Sequence, residues 1–404
     1  MPSIESLYRH YAPRVRATLI RRLGNFDSAE DALHEAFMAA VSDWPARGVP
    51  DDPVAWLIRV GHRRGIDQIR RRQTARRHAH FLDTEEATQP DALAIEDDPL
   101  RLLFTCCHPV LTMPDRLALT LREMAGLTTE QVANALLQKP ASLAQRIVRA
   151  KRRIRDAGIA YEVPDTTELP SRLPDVLRVI YLIFNEGYSC SAGETVVAVS
   201  LADEAIRLAQ ALARQLPQGE VFALLALMLL HDARRNARQD TEGNLVPLEE
   251  QNRDLWDKEQ IEDGMNWLEQ ALTLTPTAPY TLQASIAAVH AQASTADATD
   301  WQRIARLYDA LYRWQPSPVV ALNRAVAVAM SDTPEAGLLL LEALAGNKHV
   351  ATYHLYHAAL ADLHRRAGHR RAACQSYQQA LLLCAQGPEK RFLARRLAEL
   401  NPLD

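Results

Sequence analysis

A chain of 404 residues, 48% hydrophobic and 24% charged with only 15 glycines, is too long for one small core and too apolar for a disordered polymer; two or three soluble, helix-rich domains are expected. No stretch approaches the roughly 18 uninterrupted apolar residues of a membrane span, and the opening MPSIESLYRHYAPRVR has neither the apolar core nor the cleavage site of a signal peptide. Five cysteines without framework spacing fit a reducing compartment, so a cytoplasmic protein without disulfides or membrane contact is expected.

Charge is unevenly placed along the chain. Residues 1–160 hold 24 Lys/Arg against 20 Asp/Glu, a balance of +4, and residues 161–404 hold 22 against 30, a balance of −8. Between Asp27 and Trp44 the small and apolar residues Ala29, Leu33, Ala36, Phe37, Ala40 and Val41 recur at helical spacing, with Asp27 or Ser28 as the expected cap. Pro45, Gly48, Pro50 and Pro53 predict a turn-rich connector, after which a helix opens near Val54 with Trp56, Leu57, Val60, Ile66 and Ile69 on its apolar side. That helix carries Arg59, Arg63, Arg64, Arg70 and Arg71, a group able to neutralise several phosphates. Trp44 and Trp56 sit beside apolar periodic positions and are expected in the core rather than stacked on bases. Periodicity then dissolves into polar and acidic residues until Leu100, which predicts a flexible linker over 76–98.

From Met113 to Arg155 three helices are expected, the second capped by Thr128 or Thr129 and the third opening after the Lys139-Pro140 turn. A helix, a short turn and a basic last helix form the helix-turn-helix pattern, in which the last helix enters the major groove. On it Ser142, Gln145, Arg146, Arg149 and Arg152 fall on or near one face, and Arg and Gln are side chains that pair bidentately with guanine and adenine.

Two motifs at this separation make a family resemblance specific. DSAEDALHEAFMAAVSDWP with PDDPVAWLIRVGHRRGIDQIRRR resembles region two of extracytoplasmic-function sigma factors of the sigma-70 family, and LREMAGLTTEQVANALLQKPASLAQRIVRAKRRIR resembles their region four. The resemblance implies an all-α protein: region two over 1–75, the linker over 76–98, region four over 99–160, and a helical regulatory domain over 161–404. It further implies that region two binds core RNA polymerase and the minus-ten element of promoter DNA, that the loop from Arg47 to Asp52 captures a flipped base, and that region four reads the minus-thirty-five element. Asp31 and Glu35 lie off the apolar stripe of their helix and are the expected polymerase contacts.

Downstream, YLIFNEGYSCSAGE and ALLALMLLHDARRNARQDTEGNLVPLEEQNRDLWD are similar to the C-terminal extension of one sigma branch, described as containing tetratricopeptide-type repeats. LADLHRRAGHRRAACQSYQQALLL resembles one such unit, and EQALTLTPTAPYTLQASIAAVHA and DALYRWQPSPVVALNRAVAVA share a helix, Pro-rich turn, helix form. Stacked units leave a groove for a regulatory protein or ligand. Glu186 and Arg253 are expected to lock helices together as a polar pair, not to act in catalysis. Cys106-Cys107-His108 and the set His354, His357, His364 and His369 lack zinc-site spacing, and neither a Walker loop nor a Rossmann glycine pattern occurs. Neither a metal nor another cofactor is expected, and an enzyme is not. The reading from sequence is a sigma factor, with a helix-turn-helix activator carrying a repeat-type sensory or scaffold domain as the alternative.

Overall fold

The structure is a computed structural model that describes residues 4–76, 92–125, 127–136, 138–188, 199–385 and 387–400, and all its regular elements among them are helices. Two compact units divide the chain, Met1–Val179 and Ile180–Asp404.

In the N-terminal unit α1 (Ile4–Leu23), α2 (Phe26–Arg47) and α3 (Pro53–Arg76) pack on one another. Gly24, at φ 76°, turns the chain between α1 and α2. The cap of α2 is Asn25, two residues before the earlier expected cap: its Oδ1 accepts the Ser28 backbone N–H at 2.7 Å. Ala29, Leu33, Ala36, Phe37 and Ala40 are buried as their periodicity predicts, but Val41 is 38% exposed. Pro45, expected in the connector, is instead in the last turn of α2, which ends at Gly48 with φ 81°. Close approach of the three helices depends on Gly61 and Gly65. A Cβ at Gly61 would stand 3.0 Å from Leu19 Cδ1, and one at Gly65 2.7 Å from Leu23 Cδ1.

Helix α4 (Ala92–Cys106) begins inside the segment expected to be a linker. Asp98, fully buried, explains the order at its centre: it accepts from Arg21 Nε at 2.6 Å and from Arg101 Nη1 at 3.0 Å, tying α4 to α1. Then come α5 (Met113–Glu123), α6 (Thr129–Ala135) and α7 (Pro140–Asp156), the expected three helices. Thr128 caps α6 reciprocally: its Oγ1 accepts the Gln131 N–H at 3.2 Å, and Gln131 Oε1 accepts the Thr128 N–H at 2.8 Å. The first half of α8 (Leu169–Tyr188) belongs to this unit. Arg172 Nη2 donates to the Phe104 carbonyl at 3.0 Å and Asp175 pairs with Arg116 at 2.8 Å, so the compact unit extends past the boundary expected at residue 160.

The C-terminal unit is organised by α9 (Val199–Gln215) and α10 (Gly219–Asp232). Every residue of α10 from Val221 to Leu230 is buried, and a helix apolar on all sides must be covered on all sides; α9, α11 (Lys258–Leu274) and α12 (Pro279–Gln292) supply the cover. Helical hairpins follow. α11 leads into α12, α13 (Trp301–Trp314) into α14 (Pro318–Ser331), then α15 (Pro334–Glu342), the short α16 (Lys348–Ala351), α17 (His354–Arg366), α18 (Arg370–Leu383) and α19 (Gly387–Leu400). Ser317 and Thr333 cap α14 and α15 just before a proline at the first helical position, where its missing N–H costs nothing. Gly368, at φ 75°, makes the turn between α17 and α18. The three hairpins expected from sequence are therefore all present as helix pairs.

Candidate nucleic-acid interface

Helix α7 is strongly two-sided. Leu143, Ile147, Ala150 and Ile154 are buried, and α5 and α6 cover them; Ser142, Gln145, Arg149 and Arg152 are exposed on the other side. Its basic residues separate once their partners are traced. Asp115, in the first turn of α5, holds two of them, Arg146 Nη1 at 3.3 Å and Arg153 Nη1 at 2.9 Å. Arg146 is accordingly half-buried, with its Nε buried and lacking a hydrogen-bond partner. Lys151 reaches the buried Glu123 at 2.9 Å, Arg152 pairs with Asp156 at 3.2 Å and Arg155 lies 3.8 Å from Asp27. Arg149 alone of these six cations makes no ion pair among the described residues; its Nε donates only to the Gln145 carbonyl of its own helix, at 3.3 Å.

The second basic face is on α3. Arg59, Arg63, Arg64 and Arg70 are exposed, and the side chain of Arg71 lies outside the described residues. Arg64 pairs with Glu35, and Gln68 donates to Asp31 at 3.4 Å, so the two acids expected to meet polymerase sit on the seam between α2 and α3. Beside Glu35, Met38 is 54% exposed and Val41 joins it, an apolar element of this face. Helical periodicity assigned Val41 to the core and passed over Met38. Trp44 is buried with its ring 5.5 Å from that of the half-buried Trp56, so the pair packs as expected.

A network that sequence reading missed joins the two basic modules. Arg16, 1% exposed, donates from Nε to Glu30 at 3.1 Å and stands 3.5 Å from Glu123; its Nη1 donates to the Arg122 and Glu123 carbonyls at 3.2 and 3.1 Å, at the C-terminus of α5. Arg122 Nη2 donates to Glu30 at 2.7 Å. Burial opposes ionisation of Glu30, but Arg16 and Arg122 outweigh it and hold the carboxyl below its ordinary range. Burial likewise works against the charge on Arg16, and Glu123 and Glu30 reverse that. Each partner is about a hundred residues away or on another helix, so no local pattern announces it.

Cys106 and Cys107 are buried, and burial pushes the Cys107 thiol up to about 12. His108 Nδ1 accepts the Val110 N–H at 3.1 Å. In the C-terminal unit Arg253, expected to pair with Glu186, donates to backbone carbonyls. Its Nη1 donates to the His290 and Ala293 carbonyls at 2.8 and 2.7 Å, satisfying the C-terminus of α12.

Two family models match parts of the chain. Residues 7–75 match the family model described as Sigma-70 region 2, and residues 172–272 match the model described as Family of unknown function (DUF6596). The N-terminal region thus carries a sigma-70 region 2 and is similar to extracytoplasmic-function sigma factors. The chain as a whole belongs to one family with "Uncharacterized protein R00370" of Rhizobium meliloti (strain 1021), 41% identical over 397 residues, 96% of this chain and 93% of that protein. "Probable ECF RNA polymerase sigma factor SigI" of Mycobacterium tuberculosis (strain ATCC 25618 / H37Rv) is 27% identical over 193 residues, 46% of this chain and 62% of that one. The structure titled "Crystal Structure of the Yeast Tom70" aligns with 98% of this chain and 84% of its own at 12% identity and a TM-score of 0.38. None of the described helices is long and apolar enough to cross a membrane.

Proposed function

We propose that this chain is a sigma factor that directs core RNA polymerase to particular promoters, with its C-terminal helical unit regulating that activity. The observation that carries the reading is Arg149: a cation without an ion pair among the described residues, on the exposed side of the last helix of a helix-turn-helix whose other α7 cations all have carboxylate partners. A charge that the fold does not use is available to a phosphate or a guanine edge. Ser142, Gln145 and Arg152 share its exposure and complete the reading surface, whereas Arg146 acts by holding Asp115. On α3, Arg59 and Arg63 supply phosphate contacts near the melted element, with Arg64, Arg70 and Arg71 beside them. Asp31 and Glu35, together with exposed Met38, form the face for polymerase.

In the C-terminal unit a cavity of about 460 Å³ lined by Arg253, His290, Trp301, Asp362 and Arg366 supports a role for a bound ligand or protein segment as the regulatory signal. The helical hairpins around it support the tetratricopeptide-type reading.

In vitro transcription with purified core polymerase tests the proposal. The full chain is expected to program promoter-dependent initiation. Arg149→Ala is expected to weaken binding at the minus-thirty-five element by about 1–3 kcal/mol per lost bidentate contact, with holoenzyme still forming. Reversing the charge of Asp31 and Glu35 is expected to lower affinity for core polymerase in a pull-down while the protein stays folded. Sequence-specific DNA binding that neither needs nor recruits core polymerase would instead favour the activator.

A further inference from the structure

Three side chains of different chemistry meet at the end of the C-terminal unit. His354 is the first residue of α17, Cys384 follows the last residue of α18 as its C-cap, and Glu389 lies in the first turn of α19. His354 Nε2 is 2.8 Å from Glu389 Oε2, Cys384 Sγ is 3.6 Å from the same oxygen, and the three ligand atoms all lie within 4.8 Å of one another. Tetrahedral zinc with bonds of ~2.0–2.3 Å requires ligand atoms roughly 3.3–3.8 Å apart, so small side-chain rotations bring this set onto one ion.

We propose that His354, Cys384 and Glu389 form a binding site for one zinc ion, with the fourth coordination position open. Imidazole, thiolate and carboxylate together are a donor set that suits a borderline-soft divalent ion better than magnesium or calcium, which take oxygen. The surroundings agree with the assignment. Cys384 belongs to a buried cluster with Ala361, Tyr377, Ala380 and Leu393, and an ordinary His–Glu ion pair has no need of a thiol from such a cluster. The His354 and Glu389 side chains are about one quarter and one fifth exposed, which gives an ion a path in from solvent. Tyr353 packs its ring edge-on to His354 at 5.7 Å between centroids, so the site has aromatic support on one side. The other late histidines are spent differently: His357 Nε2 lies 2.9 Å from the Ala351 carbonyl, and His364 and His369 approach each other at 3.4 Å. Spacing among histidines therefore misses the site, because two of its ligands are not histidine.

On binding, the Cys384 S–H bond breaks, its proton passes to solvent, and the thiolate donates its electron pair to zinc without any redox change. Joining α17, α18 and α19 at their ends, the ion would fix the last hairpin of the unit.

Cobalt(II), which takes zinc sites and is coloured, provides the test on the full-length reduced protein after removal of metal with a chelator. One equivalent is expected to bind, with the near-ultraviolet thiolate-to-cobalt band and the intense visible bands of a four-coordinate ion, and zinc is expected to bleach both. Cys384→Ser is expected to abolish the thiolate band, and Glu389→Gln and His354→Ala to weaken binding at least tenfold, while Cys374→Ser leaves it unchanged. Absence of a thiolate band in the wild type at stoichiometric cobalt, or its persistence in Cys384→Ser, overturns the proposal. Should Cys384→Ser fail to fold by circular dichroism, unchanged cobalt affinity in Glu389→Gln overturns it equally.

Discussion

Arg16 in the N-terminal unit and Arg238 in the C-terminal unit are both buried guanidiniums, and their surroundings differ in kind. Arg16 lies among carboxylates and helix-terminal carbonyls, and nearly all its donors are spoken for. Arg238 places its Cζ over the Tyr188 ring, 3.6 Å from the centroid, with its Nε buried and without a hydrogen-bond partner among the described residues. Its neighbours are alike: Arg234 donates to the Tyr188 hydroxyl at 2.8 Å and sits over Trp256 at 5.8 Å, and Arg253 sits over the same indole at 4.4 Å. No carboxylate pairs with any of these three among the described residues. The first arrangement binds charge to charge and is strong but unforgiving when one partner is lost. The second holds charge against π-faces, a softer attraction that leaves the cluster electropositive. Its two histidines respond to that. His231 is held well below its ordinary value by burial and then by Arg234, Arg238 and His290, and His290 is pushed down to about 4 by burial, Arg234 and Arg253.

The largest expected effect follows from the first arrangement. Arg16→Ala leaves Glu123 buried and Glu30 half-satisfied, and loss of one member of a buried ionic network typically costs about 3–5 kcal/mol. Urea denaturation of the wild type and the variant, followed by tryptophan fluorescence, measures this; a loss under 1 kcal/mol would mean that the network does not hold the two basic modules together.

Next in size is a pH effect confined to the second arrangement. Because the folded values of His231 and His290 lie below the ordinary value near 6.5, the folded state favours their neutral forms. Their contribution to stability is full above about pH 6.5 and is lost as pH falls from there toward 4, the range over which His290 is protonated in the unfolded chain and still neutral in the fold. A shift of this size for His290 corresponds to about 3 kcal/mol at most. Thermal denaturation between pH 7 and 4.5 is expected to show a decline that His290→Gln makes shallower. An equal slope in that variant would place the pH response in other groups.

How much of this was legible in the sequence depends on the range of the interaction. Helical periodicity found the apolar faces of α2, α3 and α7, and the Pro-rich turns found the hairpins, because both signals arise within a few residues. The exposed arrangement of Ser142, Gln145 and Arg149 was legible for the same reason. Periodicity does not reveal what lies opposite a face, so Arg146 read as a base reader until Asp115, 31 residues away, was seen to hold it. Val41 reads as core although it is 38% exposed, and Arg16 with Glu123 was invisible at a separation of 107 residues. The helical start at Ala92 was hidden by the acidic run Glu96 to Asp98 and by Pro99, since the burial of Asp98 against Arg21 is a tertiary event.

Arg238 provides a smaller effect that separates the two modes of burial directly. Arg238→Met removes the stacking over Tyr188 but also removes a desolvated charge, and it orphans no carboxylate, so the two changes largely cancel. A stability change within about 1 kcal/mol of zero is expected. A loss comparable to that of Arg16→Ala would show that the π-face holds this cation as firmly as the acids hold the other.

The smallest effect on stability is expected at Arg149, where neither mode of burial operates. Its guanidinium is exposed and makes one bond to a carbonyl of its own helix, at 3.3 Å, so Arg149→Ala removes no packing and leaves no buried group unpaired. Ala is also the better helix former, and surface substitutions of this kind usually fall within ±0.5 kcal/mol. Arg146→Ala, one turn earlier, differs in that it strips Asp115 of one of its two arginines, and a measurable loss of stability is expected there. The two neighbours therefore predict opposite pairs of results: Arg149→Ala melts like the wild type while DNA affinity falls and the salt dependence of binding flattens by about one counterion, whereas Arg146→Ala loses stability first. Melting curves and DNA titrations at several salt concentrations, run on both variants, decide the matter. If Arg149→Ala binds DNA as the wild type does, the cation that the fold leaves unpaired is not the one that meets the promoter.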